Sequence, residues 1–222
     1  MNDLIIYMLG MLALASAGAF ALGSSWNLKR GHDALRWLRS ALPALGERTT
    51  MEWLGTSVVK LSIAKAHKPF RAIEILVVME PRDVPPFWLH GHLNGRRDTL
   101  IVRGQLRQPP AFETELIQPR LWTGREALDD VDQKAWNAVT LDGAAPAGAY
   151  VVLASSAEGA SHLQDWFGRS TALTPGLARI SVRRSAQYQL QWHSTLPNLR
   201  AVSAEQLIRL VQQIAREASE EG

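Results

Sequence analysis

The chain contains no cysteine. Thiol nucleophiles, disulfide frameworks, iron–sulfur clusters and attached c-type haem are therefore excluded. The common phosphate-binding glycine loop, the dinucleotide fingerprint and the serine elbow are missing as well. Asp129-Asp130-Val131-Asp132 lacks the loop glycine and distal glutamate of a calcium hand and reads as an exposed loop. An excess of one charge is also lacking: 24 Lys and Arg stand against 21 Asp and Glu, a formal net charge of only +3. A balance this even leaves no electrostatic footprint for nucleic acid, so no specific nucleic-acid partner is expected. These absences point away from the common enzyme classes, and no cofactor is expected.

One long stretch, by contrast, lacks charge altogether. Leu4–Leu22, LIIYMLGMLALASAGAFAL, is an unbroken run of apolar and small residues whose only polar group is the Ser16 hydroxyl beside the Tyr7 phenol. At 1.5 Å per residue it reaches roughly 28 Å, close to the hydrocarbon thickness of a bilayer. A cleavable signal peptide needs a basic leading region, and Met1-Asn2-Asp3 carries an acid instead. A buried helix of a soluble protein keeps a polar face, which this run does not have. The reading is an uncleaved transmembrane anchor over residues 1–23.

The flank orients it. Between Ser24 and Thr50 lie Lys29, Arg30, Arg36, Arg39 and Arg48 against Asp33 and Glu47, which accounts for the whole formal charge of +3. Basic residues just beyond a span favour retention of that side in the cytoplasm. The expected location is the cell membrane, with the N-terminus outside and the large domain cytoplasmic. Lys29, Arg30, Arg36 and Arg39 are then candidates for contact with anionic headgroups. Within the span, Gly10, Ala13, Ala17 and Ala21 share one helix face, where small residues permit close approach of another copy or of a partner helix.

Residues 24–50 read as a basic amphipathic helix and linker. Leu28, Leu35, Leu38 and Leu42 repeat at helical spacing from Trp26 to Leu42, and Pro43 stops the helix. Two placements stay open, along the membrane surface or packed on the following domain.

Residues 51–222 have the length of one domain with a real core. The period predicts strands over Thr56–Ala64, Phe70–Glu80, Asp98–Leu106 and Ala111–Gln118, then an irregular stretch over Pro119–Gln133. Strands resume at Lys134–Leu141 and Ala149–Ser155. A helix bearing Leu163, Trp166 and Phe167 follows, then alternating strands at Leu177–Arg184 and Gln187–Ser194. Each of these last two should bury one face and wet the other. Ser203 and Gln206 open a final helix. Phe87–Leu93 fits a short helix, with Asp83 as its cap, prolines in its first turn and Asn94-Gly95 at its end, or else one arm of a hairpin; adjacent prolines favour the helix. The order strand, strand, helix, strand, strand thus recurs. The expected fold is α+β: an N-terminal transmembrane helix, then an antiparallel sheet of two ββαββ-like halves with helices on one face.

Two constellations remain. His90 and His92 have a metal-type spacing, but on a helix they diverge by about 200° and cannot share an ion. Arg96 and Arg97, with Arg103 and Arg107 downstream, are the other anion or lipid candidates. The leading functional expectation is a non-catalytic interaction protein, a scaffold or accessory subunit. The alternative is a membrane-tethered enzyme or sensor that binds a phosphate-bearing small molecule or lipid through the arginines, and a deep cleft lined by Arg96, Arg97 and His90 or His92 would favour it.

Overall fold

One helix, α1 (Asn2–Leu38), carries the apolar stretch and the basic segment after it without a break. Its 37 residues reach about 55 Å, twice the length of the apolar run. The computed structural model describes residues 2–129, 136–138, 149–173 and 176–219. From Leu4 to Leu22 every residue of α1 is exposed except half-buried Ala19. From Gly23 onward a stripe at helical spacing, Gly23, Asn27, Gly31, Ala34 and Leu38, is buried. Of the two placements open for Trp26–Leu42, α1 adopts the second: it packs on the domain. A short helix, α2 (Leu42–Leu45), follows with Pro43 in its first turn.

The strands are β1 (Gly46–Leu54), β2 (Val58–Ala66), β3 (Phe70–Val78), β4 (Thr99–Leu106), β5 (Thr114–Ile117), β6 (Asn137–Ala138), β7 (Val151–Ala154), β8 (Leu177–Val182) and β9 (Leu190–Thr195). The remaining helices are α3 (Pro85–Leu93), α4 (Trp122–Asp129), α5 (Ala157–Leu173) and α6 (Ala204–Ser219). All nine strands form one antiparallel sheet in the order β1-β2-β3-β4-β9-β8-β5-β7-β6. The protein is α+β, with a long apolar N-terminal helix.

On one face Val59, Leu61 and Ile63 of β2, Ile73, Ile75 and Val77 of β3 and Leu100 and Val102 of β4 join a single core. Ala34 and Leu38 of α1, Trp166 and Phe167 of α5 and the α6 stripe Leu207, Val211 and Ile214 complete it. Alternate residues of a strand point to opposite faces, which is why β2 and β3 show this clean every-other burial.

Four departures from the sequence reading follow from tertiary contacts. The sheet starts at Gly46, inside the stretch read as linker; β1 is an edge strand with a largely exposed pattern, so its sequence carries little apolar signal. Residues Pro119–Gln133 are not irregular throughout, because α4 forms where Ala127 and Leu128 pack against Ile117, Val151 and Leu153. That contact lies on the face opposite the main core, so helices cover both faces at this end. Strand β8 is buried at every position rather than wet on one face, since its Arg179 and Ser181 meet a buried acid. Of Lys134–Leu141 only residues 136–138 are described, with Asn137–Ala138 as strand; the rest of that stretch, Asp130–Asp132 and the loop Asp142–Gly148 lie outside the described residues. Strand pairing does not repeat between the two expected halves, since β3 and β4 are neighbours whereas β5 lies between β7 and β8.

Candidate functional site

The end of β3, the start of β4, the end of β9 and the start of β8 lie at one edge of the sheet, and α1 enters the domain there. Gly23 marks the entry. A Cβ at this position would lie 2.1 Å from the Arg82 carbonyl oxygen, so only glycine lets the chain after β3 cross α1 so closely. One turn on, Asn27 is fully buried; its amide donates to the Ser57 hydroxyl at 3.1 Å and to the Glu80 carbonyl at 3.0 Å.

Asp98 is the hub of this edge. Arg82 grips its carboxylate with two nitrogens, at 2.8 and 3.2 Å. Arg30 of α1 donates to it at 3.0 Å, and the Glu80 amide at 2.9 Å. Burial alone would push the Asp98 carboxyl up; hydrogen bonds from Arg82, the Glu80 amide and Arg30, with the Arg82 charge, outweigh it and hold the group below its ordinary value of 3.8. Arg82 also reaches Asn27 Oδ1 at 3.2 Å and lies 5.7 Å above the exposed Trp26 ring. Helix α1 is thus locked to the domain by one carboxylate and two guanidiniums.

Helix α3 lies beside this lock. Pro85 and Pro86 occupy its first turn, where a missing amide proton costs nothing, and Gly95 follows with φ +81 in the left-handed region. Phe87–Leu93 is therefore helical, as the prolines suggested. The capping role expected of Asp83 is not seen: its carboxylate accepts from the Thr56 hydroxyl at 2.8 Å, and Val84 stands at the cap position. His92 points inward to Glu80, Nδ1 to Oε2 2.9 Å, while His90 points out beside Asn94. Among the described residues no set of three or more His, Asp or Glu side chains gathers into a metal site.

The six cationic candidates separate. Arg30 is bound to Asp98, and Arg36 pairs with Asp33 at 3.6 Å on the exposed side of α1. Arg36 lies about 21 Å along the helix beyond Leu22, more than a Debye length at physiological salt, and Arg39 follows the end of α1. Lys29 remains exposed close to the end of the apolar run. Arg96 stacks 4.0 Å above the Trp122 ring, and Arg97 donates to the His92 and Arg96 carbonyls at 2.8 and 2.6 Å. Burial lowers the Arg96 guanidinium, against the opposing charges of Glu126 and Glu80. Between α3 and α4 a cleft of about 750 Å³ is lined by Phe87, His90, Arg96, Trp122 and Arg125 among others. Arg97 is not among its lining residues.

A second polar group escaped the sequence reading. On the sheet face opposite the main core, the pairing aligns Ser62, Glu74, Arg103, Gln191, Ser181 and Glu115 in one row across six strands. Glu74 binds Arg103 at 2.7 Å and Lys60 at 3.3 Å. Glu115 is fully buried; it accepts from Arg179, from Ser181 at 2.7 Å and from Arg183 at 2.8 Å. His193, beside Arg179 in the ladder, is buried and has no hydrogen-bond partner on either ring nitrogen among the described residues. Burial, then the charges of Arg179 and Arg103, lowers it to about 3. A base this weak removes protons poorly near neutrality, and the Glu115 carboxylate is wholly engaged, so the row has the chemistry of a structural staple. The available signal was Arg179, Ser181 and Arg183 alternating on a strand; register, which sequence does not carry, supplies their acid. No protein-family model matches the chain, and no curated protein sequence matches it.

Proposed function

We propose that the chain is a single-pass membrane protein of the cell membrane, with its N-terminus outside and its α+β domain in the cytoplasm, acting as a non-catalytic accessory or scaffold subunit for another protein. The observation that carries this reading is the change at Gly23 within one continuous helix: bare apolar surface before it, a packed stripe after it. Leu, Ile and Phe each favour bilayer insertion by about 0.3–0.6 kcal/mol, and eight of them lie between Leu4 and Leu22. The Ser16 hydroxyl donates to the Leu12 carbonyl at 2.8 Å, so it needs no partner from outside the helix. The basic flank supports a cytoplasmic domain. Gly10, Ala13, Ala17 and Ala21 remain free on α1 for self-association or a partner helix.

The test of topology is a pair of reporters fused after Gly222. A cytoplasm-dependent reporter is expected to be active there, and activity of an exterior-dependent one would refute the orientation. Affinity purification from detergent-solubilised membranes should yield a protein at fixed stoichiometry.

The second reading, a tethered sensor or enzyme for a phosphate-bearing ligand, rests on the cleft with His90, Arg96 and Arg125. Recovery of a phosphorylated small molecule, lost on Arg96→Gln, would favour it over the scaffold.

A further inference from the structure

We infer that α3 is a second membrane-contacting element, lying in the headgroup layer of the bilayer that α1 spans. The inference rests on the anchor reading and names a further part of the same surface.

Residues 84–93, VPPFWLHGHL, include no Lys, Arg, Asp or Glu. The inward side of α3 is Trp88, Gly91 and His92, spaced by three and four. Among the described residues nothing covers the rest: Phe87, Leu89 and Leu93 are 69, 53 and 76 % exposed, and α3 has no buried residue. A solvent-facing helix of a soluble domain would carry charges on those positions.

The location says what covers them. The chain entering α3 crosses α1 at Gly23, one residue past the exposed apolar run, and α3 begins at Pro85. Helix α3 therefore begins beside the end of the span and lies against α1. The exposed Trp26 ring sits at the same level under Arg82, as an interfacial aromatic does. Around α3 stand Arg96, Arg97 and Arg125, none with a carboxylate within ion-pair distance among the described residues. Apolar groups below and unpaired guanidiniums beside them match acyl chains under a layer of phosphates. The domain would then be held at two points, which fixes its rotation about α1 as well as its distance from the bilayer.

The absence of native cysteine makes the test direct. Single variants Leu14→Cys, Leu89→Cys, Leu93→Cys and Met51→Cys, all at exposed positions, would each carry an environment-sensitive fluorophore on the full chain. The chains would be reconstituted into phosphatidylethanolamine–phosphatidylglycerol vesicles and probed with aqueous iodide, and with lipids spin-labelled near the headgroup or near the chain end. The Leu14 label should be quenched from the chain end. Labels at 89 and 93 should be quenched from near the headgroup and be several-fold less accessible to iodide than the label at 51. Iodide access at 89 and 93 equal to that at 51, with Leu14 in lipid, would overturn the inference and leave the anchor standing. Protection from iodide without quenching by lipid labels would overturn it as well, since a protein then covers α3. Iodide access at Leu14 would remove the anchor itself, and the inference with it.

Discussion

Two buried carboxylates, Asp98 and Glu115, are each gripped by two arginines, yet they hold different things together. All three side chains bound to Glu115 come from β8 or its continuation at Arg183, the strand already hydrogen-bonded to β5. The partners of Asp98 come from α1 and from the segment after β3, and no backbone ladder joins α1 to β4. The first cluster therefore reinforces the interior of the sheet. The second sets where the apolar helix leaves the domain. Burial also differs: Arg179 and Arg183 are nearly as enclosed as Glu115, whereas Arg30 is half-exposed and can regain water if its partner is lost.

Removal of one acid at a time should separate the two roles. Glu115→Ala leaves two enclosed guanidiniums without a counter-charge and should have the larger effect, a loss of about 3–5 kcal/mol. Urea unfolding followed by tryptophan fluorescence would measure it, because Trp166 and Trp192 are fully buried; a loss below about 1 kcal/mol would contradict the staple. Asp98→Ala should cost less, about 2–3 kcal/mol, because Arg30 can be hydrated again. Its distinguishing sign is local: amide exchange should rise between Gly23 and Ala34 of α1 while β8 and β9 stay protected. Equal loss of protection in both places would mean that Asp98 is another staple and not the joint between helix and domain.

Elements with one strong period were legible in the sequence. The α6 stripe of Leu207, Val211 and Ile214 and the Val- and Ile-rich strands β2 and β3 announce their own burial, and the apolar run announces a long helix. The edge strand β1 was not, because a strand paired on one side and open on the other needs few apolar residues. Helix α4 was hidden for a related reason: Ala127 and Leu128 are too few to make a period, and their partners lie on β5 and β7. The candidate site was half-legible. Lys29, Arg30, Arg96 and Arg97 stand at or near the edge where α1 enters the domain, but nothing in the sequence shows that Asp98, next to Arg97 in the chain, determines what Arg30 does. Long-range register decides such pairs, and alternation within a single strand does not encode which neighbour it will meet.

Acid should act on the two clusters in different pH windows, and this is the finest test of the comparison. His193 has a folded-state value of about 3 against an ordinary 6.5, because burial and the adjacent Arg179 and Arg103 disfavour its cation. Between those values the unfolded chain binds a proton that the folded chain does not, so stability falls as pH drops from 6.5. The slope is at most about 1.4 kcal/mol per pH unit, so pH 5.5 should cost about that much relative to neutrality. Asp98 is shifted the other way in effect: its lowered value contributes stability above 3.8, and that contribution is lost only as pH falls below this point. Glu74 and Glu217, also lowered against the opposing pull of burial, by Arg103 and Arg169 respectively, belong to the same acid window. Unfolding measured from pH 7 to pH 4 should therefore show a decline that His193→Leu flattens and Asp98→Asn leaves in place. A decline in that range that survives His193→Leu would mean the imidazole finds a partner, or water, in solution, and the Glu115 end of the sheet would be less closed than its geometry indicates.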